Sequence, residues 1–409
     1  MFPKQARCLL FLCKMGRTTI NHDRVLSVSC QITVRIRYLQ LKTKLKFLFL
    51  EPFFGGSHRE FAQGLVAHSR HRIDLLTLPA RFWKWRMRGA ALYFIKKVAD
   101  LESYHGLITT DLMSLSDFRA LAKGACPPTL MYFHENQLTY PLASGEHADY
   151  QYGFTDITSA LTADRILFNS RTHRDAFFEG LPGFLNLMPE YRPRWVVDAI
   201  RTKAGVLYPG CRLSAGSVSL QDPPPQSPPL IIWNHRWEFD KKPEDFFDAL
   251  DGVLENGAEF RLALLGENFQ AVPKAFIRAR SRYGGRIIQY GYVESRQEYI
   301  QWLQQGAIVI STATQENFGI SVVEAVRCGC LPLLPARLAY PEIIPQEFHS
   351  RVLYCDQQDL VQKLSQRIQN YAQFQDLRHR LSDVMQQFAW ANLIDRYDEE
   401  LEKLADMSR

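Results

Sequence analysis

A strand, a loop and a helix are predicted, in that order, by Ala307-Ile-Val-Ile-Ser-Thr-Ala-Thr-Gln-Glu-Asn-Phe-Gly-Ile-Ser-Val-Val-Glu-Ala-Val-Arg-Cys-Gly329. The apolar start is typical of a buried strand, and the helix would begin at about Ile320. Glu316 then lies in the loop, and Glu324 lies about one helical turn in, roughly 6 Å along the axis. Both carboxylates would face one cleft beside the unpaired amides of residues 317–320. Because carboxylates bind hydroxyl groups and free amides bind phosphate, the segment predicts a nucleotide-sugar site.

The same spacing also has a purely structural interpretation. Glu316 would cap the helix and Glu324 would be a solvated helix residue, because acidic side chains are common at helix starts. The spacing alone leaves both interpretations open.

Short apolar runs alternate with helical patterns along most of the chain. They occupy 45–50, 73–78, 106–110, 129–133 and 165–169, then 230–234, 260–266, 286–290 and 307–312. This alternation predicts an α/β fold with two doubly wound, Rossmann-like domains whose ligands bind beyond the carboxyl ends of the strands. A proline-rich stretch separates the two series and is typical of a linker. We predict a basic extension at 1–44, a first domain at 45–206, a linker at 207–229 and a second domain at 230–387.

The positive charge of the chain is concentrated at its start. Residues 1–46 hold ten Lys or Arg and one acidic residue, Asp23, out of 49 basic and 43 acidic residues in all. The remaining body has a net charge of −3, so nucleic-acid binding has to be argued from a local patch. For the extension itself, a transit peptide, a disordered tail and a misassigned start all remain open, and it is left out of the fold.

The cysteines indicate the compartment. The chain has eight, with no C-x-x-C pair and no zinc-like spacing, which predicts reduced thiols in a cytoplasmic protein. The longest early apolar run, 8–13, is too short to span a membrane, and no secretory cleavage site accompanies it.

A glycine loop follows the first predicted strand. Gly55-Gly56 lets the backbone approach a ligand, although a plain turn has the same signature. Ser57 and Glu60 have the capping-box spacing, which predicts a helix that starts there.

A basic loop follows the first predicted strand of the second domain. It presents Arg236, Lys241 and Lys242, which together suit a diphosphate leaving group. Solvated surface charges would give the same pattern.

Taken in order, the glycine loop, the Arg-x4-Lys pattern at 236–241 and the Glu-x7-Glu pattern at 316–324 resemble the retaining GT-B glycosyltransferases. The tail from Phe388 to Tyr397 also resembles the helix with which those enzymes cross back to the first domain, so a helix is expected at 388–409. The resemblance spans about residues 45–405. It implies two Rossmann-like domains that face a central cleft.

A narrower resemblance lies in the first domain. Glu51-Pro-Phe-Phe-Gly-Gly-Ser-His58 and Met131-Tyr-Phe-His-Glu-Asn-Gln-Leu-Thr-Tyr-Pro141 are similar to segments of the tRNA-queuosine mannosyltransferase family, as are Phe168-Asn-Ser170 and Asn234-His-Arg-Trp-Glu238. This resemblance implies transfer of mannose from GDP-mannose to the cyclopentenediol of queuosine in the anticodon of tRNA(Asp).

The resemblance also implies roles for single residues. Arg236 and Lys241 would neutralise the GDP leaving group, with Lys242 as the alternative to Lys241. Glu316 would hold mannose hydroxyls, and His134 would face the sugar or the acceptor unless it is an ordinary hydrogen-bonded histidine at a strand end. The donor phosphates, ribose and guanine would be bound by Gly55, Gly56, Asn317, Phe318, Gly319, Glu324 and Val293. No Asp-x-Asp motif stands out, so metal-independent transfer without a cofactor is expected.

A tRNA acceptor needs a basic surface, and residues 70–97 supply a candidate. Phosphate contact and base stacking could share this segment, although an amphipathic helix with its aromatic residues in the core is the alternative. The basic residues are Arg70, Arg72, Arg81, Lys84, Arg86, Arg88, Lys96 and Lys97, and the aromatic ones among them are Phe82, Trp83 and Trp85.

Other functions fit parts of the same pattern. A GT-B hexosyltransferase acting on a lipid or polysaccharide would use the 81–88 segment as a membrane-facing helix. A nucleotide-sugar-binding or RNA-binding protein without activity could share the scaffold. A nicotinamide-dependent oxidoreductase would need the G-x-G-x-x-G fingerprint, which is missing.

Overall fold

The computed structural model describes residues 44–407 except 125, 143, 144, 146, 148, 214–226 and 267–271. The predicted N-terminal extension and most of the predicted linker lie outside these described residues. Within them, the strands form two six-stranded sheets in which the neighbouring strands pair in parallel. The predicted α/β architecture with two doubly wound sheets is confirmed.

The first sheet has the strand order β2-β1-β3-β4-β5-β6. Its strands are β1 (Lys46–Phe54), β2 (Arg72–Pro79), β3 (Gly106–Thr110), β4 (Thr129–Phe133), β5 (Arg165–Phe168) and β6 (Ala204–Val206). The helices of this part are α1 (Gly56–His68), α2 (Trp83–Lys97), α3 (Leu115–Leu121), α4 (Tyr150–Thr162), α5 (Arg171–Asn186) and α6 (Trp195–Arg201).

The second sheet has the order β12-β11-β10-β7-β8-β9. Its strands are β7 (Leu230–Trp233), β8 (Arg261–Leu264), β9 (Ile287–Tyr290), β10 (Ile308–Ile310), β11 (Leu331–Pro335) and β12 (Leu353–Tyr354). The helices that follow the first part are α7 (Pro243–Glu255), α8 (Lys274–Tyr283), α9 (Arg296–Gln305), α10 (Ile320–Arg327), α11 (Tyr340–Ile343), α12 (His349–Val352), α13 (Gln357–Gln369), α14 (Gln375–Met385) and α15 (Trp390–Asp406).

Helices cover both faces of each sheet, which explains why the strands are continuous apolar runs. In β1, Phe47 and Phe49 belong to one buried cluster, while Leu48 and Leu50 belong to another. Successive side chains of a strand point to opposite faces, so a strand that is covered on both sides has no polar side to present. The loops at the carboxyl ends of the strands are the part of each sheet that is left for polar chemistry.

The capping box predicted at Ser57 and Glu60 is wrong. The helix α1 begins at Gly56, and its N-cap is Gly55, without a side-chain cap hydrogen bond. Gly56 has φ +48, and a Cβ on Gly55 would lie 2.3 Å from Ala80 Cβ. The N-cap therefore lies two residues earlier than predicted, and Gly55 and Gly56 are two positions where only glycine fits well.

The last helix, α15, packs against the first sheet. Trp390, at its start, is 2% exposed and lies beside Phe61. Asp398 accepts hydrogen bonds from Ser69 Oγ at 2.5 Å and from Arg70 N at 3.1 Å. The helix expected at 388–409 therefore has an apolar anchor at one end and polar contacts farther along.

Gly64→Ala should destabilise the fold through this anchor. A Cβ on Gly64 would lie 1.9 Å from Trp390 Nε1, and the buried indole has no free space to move into. We expect a loss of about 1–3 kcal/mol in the free energy of unfolding, measured by urea denaturation.

Gly89→Ala is the matched control, because Gly89 is also helical and a Cβ there meets nothing within 4 Å. It should leave stability unchanged or raise it by about 0.5–1 kcal/mol. Equal losses in the two variants would show that helical glycine, rather than the tryptophan contact, sets the effect.

Candidate active site

The loop after β7 and the loop after β10 meet through a buried lysine. Lys241 is 7% exposed, and its Nζ lies 3.5 Å from Glu316 Oε2 and 3.1 Å from Asp240 Oδ2. The same Nζ donates a hydrogen bond to Gln315 O at 2.6 Å. Lys242 follows with φ 49 and an exposed side chain. The structure therefore brings Lys241, and not Lys242, to Glu316.

Lys241 and Glu316 stabilise each other in their charged forms. Burial alone would raise the pKa of Glu316, but the charge of Lys241 outweighs it, so the pKa is lowered. Burial alone would lower the pKa of Lys241, and Glu316 and Asp240 reverse that shift. His235 stays neutral, because burial and then Lys241 lower its pKa to about 4. The result is a desolvated ion pair at the carboxyl edge of the second sheet.

Arg236 lies farther out on the same side. Its side chain is 43% exposed, and Nη2 lies 3.1 Å from Glu238 Oε2. A guanidinium that is partly exposed can still form the paired hydrogen bonds that bind phosphate oxygens. The two basic residues predicted for a leaving group thus lie on one wall, Lys241 inside and Arg236 at the rim.

The second carboxylate, Glu324, has a separate set of partners. It is 5% exposed in α10, accepts a hydrogen bond from Arg296 Nη2 at 2.5 Å and accepts another from Tyr299 OH at 3.3 Å. Burial dominates and raises its pKa, although Arg296 opposes that shift. Neither Arg296 nor Tyr299 was predicted for the site. Their only sequence signal is an i, i+3 spacing on α9, which does not identify a partner 25 to 28 residues away.

The N-terminus of α10 has no side-chain cap. Its N-cap residue is Gly319 with φ 98, and no acidic residue stands in the first turn. The interpretation in which Glu316 caps this helix is therefore wrong. Glu316 does accept a hydrogen bond from the backbone amide of Phe318, which precedes α10. An anion at the start of α10 stays a prediction.

The first sheet contributes His134, the residue after β4. Its backbone N donates to Asp111 Oδ1 at 2.8 Å, and its carbonyl accepts from Asn169 Nδ2 at 2.9 Å. The same carbonyl accepts from Asn317 Nδ2 at 3.0 Å. Asn317 belongs to the loop after β10, so this bond joins the carboxyl edges of the two sheets directly.

A second tie joins the sheets at the start of α5. Glu342, in α11, accepts from the backbone N of Arg171 and of Thr172 at 2.8 Å each, and from Thr172 Oγ1 at 2.9 Å. A carboxylate of the second sheet thereby satisfies free amides at a helix N-terminus of the first. Sequence reasoning missed this residue, because its partners are some 170 residues away.

Two buried imidazoles, those of His58 and His134, lie against each other. The His58 and His134 rings lie 4.0 Å apart between centroids, and His58 Nδ1 lies 3.2 Å from Glu51 Oε1. Burial alone would lower the pKa of His58, but Glu51 outweighs it and the pKa rises to about 9. Burial, and then the His58 charge, lowers the pKa of His134 well below its usual value. At neutral pH this cluster therefore holds a cationic His58 and a neutral His134.

Glu51, His58 and His134 also offer ligand atoms within 4.8 Å of one another. The His58 and His134 rings are tilted by 34°, and Glu51 Oε1 already accepts from Phe53 N and Thr110 Oγ1. Glu51 Oε2 and His134 Nε2 have no hydrogen-bond partner among the described residues, so metal-independent transfer stays a prediction.

The remaining predicted donor residues are less directly placed. Phe318 and Val293 are 2% and 7% exposed and belong to the same buried cluster, so any ligand contact there would have to come from the backbone. A Cβ on Gly56 would meet nothing within 4 Å, whereas Gly55 packs against Ala80. The glycine at 55 is therefore already explained by packing.

The basic segment is smaller than predicted. Arg70 binds Glu402 at 2.8 Å and Arg72 binds Asp74 at 2.9 Å, so these two do not form a free basic surface. The sequence could not show the pairing of Arg70, because Glu402 comes from α15.

Farther along, Phe82 and Trp85 are 70% and 76% exposed at the start of α2. Trp83 packs on Tyr152, and Arg88 donates to Gln151. The core interpretation of the aromatic residues is therefore wrong for Phe82 and Trp85. Across the described part of the chain, no helix combines the length and apolar character needed to cross a membrane.

The chain is similar to known proteins along most of its length. The family description "tRNA-queuosine alpha-mannosyltransferase N-terminal" matches residues 46–211, and "Glycosyl transferases group 1" matches residues 220–387. The tRNA-queuosine alpha-mannosyltransferase of Drosophila melanogaster is 36% identical over 315 residues, which cover 74% of this chain and 83% of that protein. The GDP-mannose:cellobiosyl-diphosphopolyprenol alpha-mannosyltransferase of Xanthomonas campestris is 22% identical over 175 residues, 42% of this chain and 46% of that protein.

Solved structures agree on the fold. Sucrose-phosphate synthase from Thermosynechococcus elongatus superposes with a TM-score of 0.69 at 15% identity, covering 89% of this chain and 100% of that one. The structure of Anabaena HepE in complex with UDP and glucose superposes with a TM-score of 0.63 at 14% identity, covering 88% of this chain and 100% of that one. The GT-B fold implied by the sequence resemblance is confirmed.

Lys241→Met should destabilise the protein because it leaves buried Asp240 and half-buried Glu316 without their cation. Breaking a buried ion pair costs about 3–5 kcal/mol. In urea denaturation at pH 7, the double variant Lys241→Met/Glu316→Gln should lose less than the sum of the two single variants. Additive losses would show that the two side chains do not interact.

The sign of the pH dependence follows from the lowered pKa of Glu316. A carboxyl with a lowered pKa stabilises the fold above the ordinary value of 4.5 and loses that contribution as the pH falls through its folded value. The stability gap between the wild type and Glu316→Gln should therefore narrow in acid. A constant gap from pH 7 to pH 3 would contradict the ion pair.

Proposed function

This chain belongs to the tRNA-queuosine alpha-mannosyltransferase family, and from that premise we propose that it transfers mannose from GDP-mannose to the cyclopentenediol of queuosine in tRNA(Asp). It is a glycosyltransferase of the GT-B fold. The donor and the tRNA identity are the proposed parts.

The observation that carries the proposal is the Lys241–Glu316 pair beside the uncapped start of α10. A nucleotide-sugar needs cationic groups and free amides for its diphosphate and a carboxylate for its sugar hydroxyls. All three occur within the loop after β10 and its contact with Lys241. Asn317 links this loop to His134 at 3.0 Å, so an acceptor held by the first sheet would be next to the sugar.

The proposed reaction breaks the bond between the anomeric carbon and the diphosphate and forms one to an acceptor hydroxyl on the same face. The departing phosphate oxygen takes the hydroxyl proton, so no carboxylate has to act as nucleophile or base. Negative charge grows on the diphosphate as the bond breaks, and Arg236 and Lys241 stabilise it. Charge stabilisation by groups that are already in place is commonly the largest catalytic contribution.

A neutral His134 suits this chemistry. Its Nε2 is buried and has no hydrogen-bond partner among the described residues. A neutral ring can both accept a hydrogen bond from a sugar or acceptor hydroxyl and donate one, whereas an imidazolium can only donate. Glu316 is available for the mannose hydroxyls, because its charge is stabilised by Lys241.

The exposed start of α2 is the proposed tRNA contact. Phe82 and Trp85 offer stacking faces, while Arg81, Lys84 and Arg88 offer phosphate contacts. Half-exposed Arg86 also bonds to Pro79 O, at 3.2 Å. A lipid acceptor would use the same surface to bind a membrane, and the relative that acts on a diphosphopolyprenol acceptor makes that the second candidate.

One assay tests donor and acceptor together. The protein is incubated with queuosine-containing tRNA(Asp) and GDP-mannose, UDP-glucose or UDP-galactose. The mass of the queuosine nucleoside is then measured by mass spectrometry. We expect a hexose gain with GDP-mannose only, and a turnover lower by about a hundredfold or more in Glu316→Ala, because the sugar loses a positioned carboxylate. A chelator should not change the rate.

Several outcomes would contradict parts of this proposal. No mass gain with any donor would favour the lipid acceptor or a protein without activity. A gain with a UDP-sugar would replace the donor. Loss of turnover in chelator, restored by magnesium or manganese, would make the reaction metal-dependent. Near-normal turnover in Glu316→Ala, with an unchanged melting temperature, would remove the sugar-site role.

Lys84, Arg86 and Arg88, replaced together by alanine, should weaken tRNA binding. The slope of log Kd against log salt should fall by about one for each lost phosphate contact. Fluorescence anisotropy with labelled tRNA over a salt series measures both effects. The control replaces Lys274, Arg278 and Arg280, three exposed basic residues of α8, and should leave binding unchanged. Equal weakening in both variants would mean that no particular surface is used.

A further inference from the structure

The first-sheet side of the site carries an acidic wall, which consists of Asp111, Glu135 and Asp156. Asp111 follows β3, Glu135 follows β4, and Asp156 lies in α4. Asp111 and Asp156 are 1% and 0% exposed, whereas Glu135 is half-buried and can be reached by a ligand. Asp111 and Asp156 flank the segment 134–137, which contains Glu135, because Asp111 accepts from His134 N at 2.8 Å and Asp156 from Gln137 N at 2.6 Å.

Buried polar atoms around this segment lack partners. Asp111 Oδ2, Asp156 Oδ1 and Asn136 Nδ2 form no hydrogen bond with any described residue. Asn136 is 0% exposed, and its Oδ1 is already used by the amides of Leu138 and Thr139. A buried polar group without a partner costs about 1–3 kcal/mol. Three of them beside one four-residue segment point to a polar ligand at this place.

Burial disfavours the charged form of the two buried carboxyls of the wall, Asp111 and Asp156. Burial raises the pKa of Asp111 to about 7, and Glu135 adds to that shift against the opposing charge of His58. Burial raises the pKa of Asp156 well above its usual value, and Asp111 and Glu135 raise it further. His58 already lies 3.2 Å from Glu51. Asp111 and Asp156 therefore hold negative charge poorly until a cation joins them.

The two walls of the site differ in how their carboxylates are paired. On the second-sheet wall, Lys241 lies against Asp240 and Glu316, and Arg236 lies against Glu238, beside the start of α10. On the first-sheet wall, Asp111 Oδ2 and Asp156 Oδ1 have no hydrogen-bond partner among the described residues. Arg236 interacts electrostatically with Glu135, but Arg236 Nη2 already lies 3.1 Å from Glu238 Oε2. An anionic donor on one side thus faces a place for a cation on the other.

We propose that the acidic wall is the subsite for the cationic amine of the acceptor, with Glu135 pairing with the ammonium and with Asp111 and Asp156 behind it. This inference rests on the proposed function. Queuosine carries its cyclopentenediol on a secondary alkyl amine, which is protonated at neutral pH as other alkyl amines are. The amine stands next to the ring whose hydroxyl accepts the sugar, so a carboxylate that fixes the ammonium also positions the hydroxyl.

The subsite distinguishes modified from unmodified tRNA. The same tRNA with guanosine in place of queuosine has no ammonium, and its binding would leave the acidic wall uncompensated. One charge-assisted hydrogen bond gives a preference of about tenfold or more. The basic surface on α2 binds both tRNAs alike, because it contacts the backbone.

Glu135→Gln tests the proposal, with Glu102→Gln as the matched control. Glu102 is an exposed glutamate that precedes β3 in the same sheet. Kd is measured for tRNA(Asp) with queuosine and with guanosine. The wild type and Glu102→Gln should prefer the queuosine form about tenfold or more, whereas Glu135→Gln should bind both forms equally. An unchanged preference in Glu135→Gln would overturn the proposal.

A second measurement on the wild type does not depend on a variant that folds. The free aminocyclopentenediol and its N-acetyl derivative, which is neutral, are compared as inhibitors of mannose transfer. The amine should inhibit at a concentration about tenfold lower. Inhibition no better than that of the amide overturns the subsite. If the wild type transfers no mannose to queuosine, the proposed function fails instead, so the two failures are distinguishable.

Discussion

The Lys241–Glu316 ion pair is the interaction on which the site depends. It joins the loop after β7 to the loop after β10 at 3.5 Å, and Lys241 also holds Gln315 O at 2.6 Å. These contacts fix the approach to α10, whose uncapped N-terminus needs a defined loop in front of it. Without the lysine, Asp240 and the half-buried Glu316 would be like charges without a cation. Backbone contacts, such as Thr314 N to Asp240 O at 2.8 Å, hold the same two loops together.

The first sheet is placed against this wall by polar contacts. Asn317 reaches the carbonyl of His134, and Glu342 satisfies the amides at the start of α5. Both contacts use groups that strand and helix ends leave unpaired, so polar contacts join the edges of the two sheets at the site. The returning helix α15, with Trp390 buried at its start, adds the apolar contact away from the chemistry.

The two sides of the site differ in how their carboxylates are paired. Those of the second sheet lie against Lys241 and Arg236, whereas Asp111 Oδ2 and Asp156 Oδ1 of the first have no hydrogen-bond partner among the described residues. Burial, and then the charge of His58, lowers the pKa of His134 and keeps it neutral. A neutral hydrogen-bonding group between an anion site and a cation site can face a sugar hydroxyl without binding either charge strongly.

The sequence by itself determined the architecture, because apolar runs alternating with helical patterns leave few folds other than a parallel doubly wound one. It also indicated Lys241, Glu316, Asn317 and His134, since polar residues that follow buried strands collect at one sheet edge. The short edge strands β6 and β12 were not predicted, because three and two residues carry no periodicity.

Only the tertiary structure decided which charges are paired with which. Arg70 forms an ion pair with Glu402, and Arg296 forms one with Glu324. The acidic wall combines residues from three separate parts of the chain. Ion pairs depend on distances between side chains far apart in the chain, and a linear pattern holds no information about those distances.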